Sequence, residues 1–101
     1  MTLLEELSKK IINERKIAWF NIRHAKVLTT LKKYGQLPTA NITLITNIEK
    51  KATTQTLQEL KNAKLITYNG ETYSLQNEIE TIQKLMQMAE KQEVKVMAKS
   101  K

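Results

Sequence analysis

A chain of 101 residues with a net charge of +7, from 17 Lys and Arg against 10 acids that are all Glu, is sized for one domain and suits an anionic partner. With no cysteine, no Asp and one histidine, His24, it excludes disulfides and a Cys- or His-based metal site within one subunit, and it lacks the usual acid, base and nucleophile sets of an enzyme. No apolar run reaches the roughly 18 to 20 residues that span a bilayer, and the start MTLLEELSKK carries Glu where a secretory signal is basic, so a cytoplasmic protein with no membrane partner is expected.

From Leu3 to Tyr34 neither Gly nor Pro interrupts the chain. Apolar residues recur near helical spacing at Leu4, Leu7, Ile11, Ala18, Ile22, Ala25, Leu28 and Leu31. One long helix or two fit this pattern, and the polar run from Asn13 to Lys16 is the place for a break. Ile17, Trp19 and Phe20 then read as packing residues, and His24 as a histidine with no special chemistry. Gly35 suits a helix C-cap. Pro38 and Thr39 mark a restart, with Thr39 as N-cap of a helix reaching Asn47 and Ile42, Ile45 and Ile48 facing inward. The same stretch is rich in β-branched residues, which alone would favour a strand; its surroundings favour the helix.

Residues Lys50 to Lys64 form the next helix, with Thr53, Leu57, Leu60 and Lys64 on one face and Lys50, Lys51, Thr54, Gln55, Gln58 and Lys61 on the other. LITYNGETYSL alternates around Asn69 and Gly70, the pair suited to a two-residue hairpin turn, which sets Tyr68 opposite Glu71, Thr67 opposite Thr72 and Ile66 opposite Tyr73. Ile66, Tyr73 and Leu75 would share the covered face. From Asn77 to about Ala98, Ile79, Ile82, Met86, Ala89, Glu93 and Val96 form a short heptad seam that Leu85 and Met88 widen. Such a stripe fits a helix that meets a second chain. It also fits one that folds back on the N-terminal helix.

The segment GQLPTANITLITNIEKKATTQTLQELKNAKLI, followed by an Asn-Gly hairpin, resembles the winged helix-turn-helix of MarR-like and ArsR-like regulators. The overall plan is also similar to small archaeal winged-helix chromatin proteins that dimerise through a coiled coil. The resemblance implies a mainly α fold with a small β-hairpin in one domain: an N-terminal helix over 1–16, a winged core over 17–75, a dimerisation helix over 76–98 and a basic tail over 99–101. Thr39 to Thr46 becomes the positioning helix, Asn47 the turn, Lys50 to Lys64 the recognition helix and LITYNGETYSL the wing. Metal sensing of the ArsR kind lacks its ligands in this sequence, and neither a metal nor a cofactor is expected. Many MarR-like proteins take a small-molecule effector, and no residue here is assigned to one.

Implied partners are double-stranded DNA and a second copy of the chain. A helix docked in the major groove turns donors and acceptors to base edges, where glutamine pairs with adenine and threonine meets a thymine methyl. Gln55 and Thr54 are the candidates for base contact, with Gln58 one turn on. Lys50, Lys51 and Lys61 suit the phosphate backbone, and Thr39 and Asn41 suit a phosphate at the start of their helix. Ile79, Ile82, Leu85, Met86, Ala89 and Val96 are the candidate dimer residues. Thr53 stands where an aliphatic residue is usual, so its hydroxyl needs a partner, such as the carbonyl one turn back. Glu49 is a weak cap. The wing tip, with Glu71 and no Lys or Arg, is unsuited to the minor groove. Positive charge gathers instead in residues 1–34, where eight Lys or Arg against three Glu leave +5. Arg15, Lys16, Arg23, Lys26, Lys32 and Lys33 are there to flank a duplex. Three functions fit: a dimeric transcriptional regulator, an architectural chromatin protein with little sequence preference, and a winged-helix protein-interaction module.

Overall fold

The structure, a computed structural model, describes residues 2–75 and 77–100, with side chains through Glu90. Its order is α1 (Leu3–Asn13), α2 (Ile22–Tyr34), α3 (Thr39–Thr46), α4 (Lys50–Asn62), β1 (Ile66–Tyr68), β2 (Tyr73–Leu75) and α5 (Glu78–Ser100). Among the described residues no helix is long and apolar enough to cross a membrane.

Thr2 starts α1 by accepting the Glu5 N–H on its hydroxyl, and Glu5 and Glu6 suit the positive end of the helix dipole. The helix stops at the polar run, where Arg15 takes a left-handed backbone (φ 52°) and the chain turns back. Of the two arrangements the spacing allows, the two-helix one forms, with its break at the polar run. Ile17 and Phe20 drop into the core, whereas Ala18 and Ile22 stay exposed, so two of the expected inward positions face outward. Asn21 caps α2, and Gly35 ends it at φ 84° with its N–H on the Leu31 carbonyl.

Helix α3 begins one residue earlier than expected. Pro38 is its N-cap and Thr39 its first helical residue, with no side-chain cap bond. Proline's fixed φ suits this position, and its missing N–H has no role there. Of the three isoleucines expected inside, Ile42 is buried and Ile48 half-buried, while Ile45 borders an open groove between α1, α2 and α3. Asn47 makes the turn in the left-handed region (φ 57°), where its short polar side chain is tolerated.

Helix α4 stops at Asn62, short of the expected Lys64. Lys64 has φ 63°, and the N–H groups of Lys64 and Leu65 fold back onto the carbonyls of Lys61 and Leu60, closing the last turn. Lys64 is thus exposed beyond the helix rather than on its inner face.

The hairpin pairs Ile66 with Leu75, Thr67 with Ser74 and Tyr68 with Tyr73, leaving a four-residue loop in place of the expected two-residue turn. Asn69 explains the shift: its side-chain oxygen accepts the N–H groups of Glu71 (2.9 Å) and Thr72 (2.8 Å). Tyr68 stacks on Tyr73 at 4.4 Å, and Leu37 exchanges two backbone bonds with Tyr73. Because the shift is two residues, each side chain keeps its expected face.

The core runs through all these elements. Leu4 and Ile11 of α1, Leu28 and Leu31 of α2, Ile42 of α3, Leu57 and Leu60 of α4, Leu65, Ile66 and Leu85 of α5 are fully buried. Each such side chain contributes about 1.5 to 3 kcal/mol over leaving it in water. Helix α5, capped by the Asn77 side chain on the Ile79 N–H, packs against α1. It is tied to the body by Lys32 to Glu78 (3.0 Å) and by the Lys84 ammonium on the Lys64 carbonyl (2.7 Å).

Candidate nucleic-acid interface

Helix α4 has two chemically distinct faces. Thr53, Thr56, Leu57 and Leu60 are buried, and Lys50, Lys51, Thr54, Gln55, Gln58 and Lys61 are all exposed. The leucines fix the helix on the domain by burial, and the buried threonines keep their hydroxyls satisfied locally. Thr56 donates to the Ala52 carbonyl at 2.7 Å. Thr53 donates to the Ile48 carbonyl at 3.2 Å, one residue further back than a helical turn, so it reaches past the helix start into the turn.

The sequence gives no local sign of the third anchor. His24, fully buried in the first turn of α2, places Nε2 2.8 Å from the Glu59 carboxylate of α4. Its Nδ1 accepts the Asn21 N–H at 3.0 Å, so the neutral ring carries its proton on Nε2 and donates it to Glu59. Trp19 meets the ring edge-on at 5.0 Å and Phe20 stacks on it at 5.6 Å. Burial lowers the His24 pKa below the ordinary histidine value, and nearby Arg23 pushes the same way; the hydrogen bond and charge of Glu59 pull against this without prevailing. His24, expected to have no special role, is a junction between α2 and α4. The Asn-x-x-His spacing at a helix start is the one sequence sign of its capping half.

On the outer face, Thr54 returns its hydroxyl to the Lys50 carbonyl (3.0 Å), and Gln58 makes only a long contact with Asn62 (3.5 Å). Lys61 lies over the Tyr68 ring at 5.6 Å, joining the helix to the hairpin. Gln55 has no hydrogen bond among the described residues. At the N-terminus Glu49 makes no side-chain cap, and the first turn holds no acid. The ladder begins with the Thr53 N–H on the Glu49 carbonyl, so the N–H groups of residues 50 to 52 precede it, beside two ammonium groups. The start of α3 is similar: Asn41 and Ile42 are the first donors, both to Pro38, with Thr39 half-buried and Asn41 exposed.

Two cations of the first third are engaged elsewhere, Lys16 with Glu14 (3.6 Å) and Lys32 with Glu78. Arg15, Lys26 and Lys33 are exposed. Of the candidate dimer residues, Ile79 (66% exposed) and Met86 (49%) face outward and Ile82 is half-buried. Leu85 and Ala89 are buried in the chain's own core, so they cannot reach a second copy; the stripe is wide because part of it covers α1 and the body. The side chains of Val96 and of the basic tail over 99–101 lie outside the described residues. The helix itself runs on through residues 99 and 100.

No family model matches the chain, and no curated protein matches it in sequence. Its backbone is similar to two crystal structures. RV1404 from Mycobacterium tuberculosis shares 17% identity at a TM-score of 0.60, covering 96% of this chain and 71% of that one. The YusO protein from Bacillus subtilis shares 20% at 0.59, covering 97% and 72%. At such identities the likeness is one of fold, a helical chain with a two-stranded antiparallel hairpin in a winged-helix arrangement.

Proposed function

We propose that this chain is a DNA-binding regulator that works as a homodimer and places α4 in the major groove. The observation that carries the reading is the division of α4: an inner face locked by two leucines, two threonines and the Glu59 to His24 bond, and an outer face of amide, hydroxyl and ammonium groups. A rigid mount and a free polar face are what base recognition requires. Gln55 and Thr54 read base edges; Lys50 and Lys51, with the N–H groups at the start of α4, hold phosphate, and Thr39 and Asn41 hold a second phosphate at the start of α3. Lys61 adds charge at the far end. Ile79 and Met86 supply the apolar contact between the two copies, which sets the recognition helices about 34 to 36 Å apart on successive turns.

A second reading is an architectural protein that coats DNA with little sequence preference. It is favoured by the lack of Arg on α4 and of any basic residue on the hairpin. Competition between a selected duplex and random DNA over a range of salt separates the two: a regulator keeps a specificity ratio of about 10³ or more, and an architectural protein shows a steep salt slope with a ratio near one.

A further inference from the structure

His24 is buried, titratable and absent from any role so far given to DNA contact, yet it touches the mount of the recognition helix. We propose that His24 is a positioning residue for α4 and that proton uptake by its imidazole, through loss of that positioning, releases DNA. The inference rests on the DNA-binding reading and adds a regulatory property to the same site.

The geometry of the ring supplies the reason. Both nitrogens are used: Nε2–H donates to Glu59 (2.8 Å) and Nδ1 accepts from the Asn21 N–H (3.0 Å). A second proton must go on Nδ1, where it meets an N–H donor head-on. The nearest acceptor is Asn21 Oδ1 at 3.2 Å, already holding the Arg23 N–H at 2.9 Å as the cap of α2. Trp19 and Phe20 enclose the ring, and with no exposed surface it has no route to water in place. The imidazole must therefore turn away from the Asn21 N–H, toward the lone pair of Asn21 Oδ1 that the Arg23 N–H leaves open. Being rigid, it carries Nε2 with it and moves against Glu59, shifting the roll of α4 that aims Gln55 and Thr54 outward. The charged groups facing the ring are Glu59 from α4 and Arg23 from its own helix, while Trp19 and Phe20 bring none.

The chain is well suited to showing this. With one histidine and no cysteine, His24 is the one side chain whose ordinary titration falls between about pH 5 and pH 8.

The test measures affinity of the intact protein for a mixed-sequence duplex at constant ionic strength from about pH 7.5 to about pH 5. The His24 imidazole resonance and the amide protection of α4 are followed in parallel. Affinity should fall with the His24 midpoint, by at most about tenfold per pH unit for one proton per site. E59Q keeps an acceptor but removes the charge that favours imidazolium, so both midpoints should move together to lower pH. H24Q, whose amide can accept from Asn21 and donate to Glu59, should restore the binding lost in H24A and show no acid decline. A flat wild-type profile through the imidazole titration, or an unchanged decline in H24Q, overturns the proposal. If no duplex binds at any pH, the DNA-binding reading fails by itself. Positioning is then decided by α4 amide protection: loss in step with His24 upholds it, and constancy overturns it.

Discussion

Leu57 and Gln58 are neighbours in sequence on opposite sides of α4, and truncating each to alanine separates mount from surface. Leu57 is fully buried among core residues from several elements. Leu57→Ala removes three carbons there and leaves a cavity, a loss of about 3 to 5 kcal/mol. For a domain of this length each kcal/mol lowers Tm by about 4 to 8 °C, so a fall of at least about 12 °C is expected. Gln58 is exposed with one long contact to Asn62, and alanine is the better helix former, so Gln58→Ala should change stability by no more than about 0.5 kcal/mol. Thermal unfolding followed by circular dichroism, at one fixed protein concentration, measures both. On DNA the order reverses: Gln58→Ala, still fully folded, should lose about 1 to 3 kcal/mol of discrimination if its amide pairs with a base. Equal Tm losses in the two variants, or a larger loss in Gln58→Ala, would refute the assignment of the faces.

Stability should also depend on pH through His24. Its folded pKa lies below the unfolded value, so the unfolded chain binds more protons as pH falls past the ordinary histidine range. The contribution is thus fully present above about pH 6.5 and lost progressively below it, and urea unfolding of wild type against H24Q should diverge in that direction only. In the hairpin, Asn69→Ala removes the acceptor of the Glu71 and Thr72 N–H groups. A loss of about 1 to 2 kcal/mol is expected by urea unfolding, whereas Asn69→Asp, which keeps the acceptor, should stay near wild type. Replacing Ile79 and Met86 together by Glu, both exposed on α5, should lower the solution mass from dimer to monomer by light scattering with the helical signal retained. An unchanged mass would place the contact between copies elsewhere.

Where the fold was legible in sequence, a local physical rule had no competitor. The run from Asn13 to Lys16 has nothing to bury, and the chain turns there; Gly35 can take a positive φ, and α2 ends there. The α3 stretch folds as a helix despite its β-branched residues because tertiary burial of Ile42 against α2 and α4 outweighs a propensity of a few tenths of a kcal/mol per residue. Periodicity reports a stripe but not what covers it, which is why Ile22 and Ile45 emerge exposed while Leu85 and Ala89 are covered by their own chain. The hairpin register lies two residues from the one Asn-Gly suggests, because that pair is common in two-residue turns, whereas the Asn69 side chain, the tyrosine stack and the Leu37 bridge act together across a four-residue loop. For the candidate site, every proposed contact on α4 lies on the exposed face, since inward leucines at helical spacing define the outward positions. The bond that holds that helix in place, His24 to Glu59, joins residues far apart in sequence and leaves no local pattern to read.

The central claim is that the outer face of α4 meets duplex DNA. Its most direct test is the salt dependence of DNA affinity for the wild type and for a variant with Lys50, Lys51 and Gln55 all changed to alanine. The wild type should bind duplex with a linear fall of log affinity against log salt, and loss of two phosphate contacts should reduce that slope by about 1.8 per protomer while weakening binding. A variant that binds with the wild-type affinity and slope, or a wild type that ignores DNA even in dilute buffer, would contradict it.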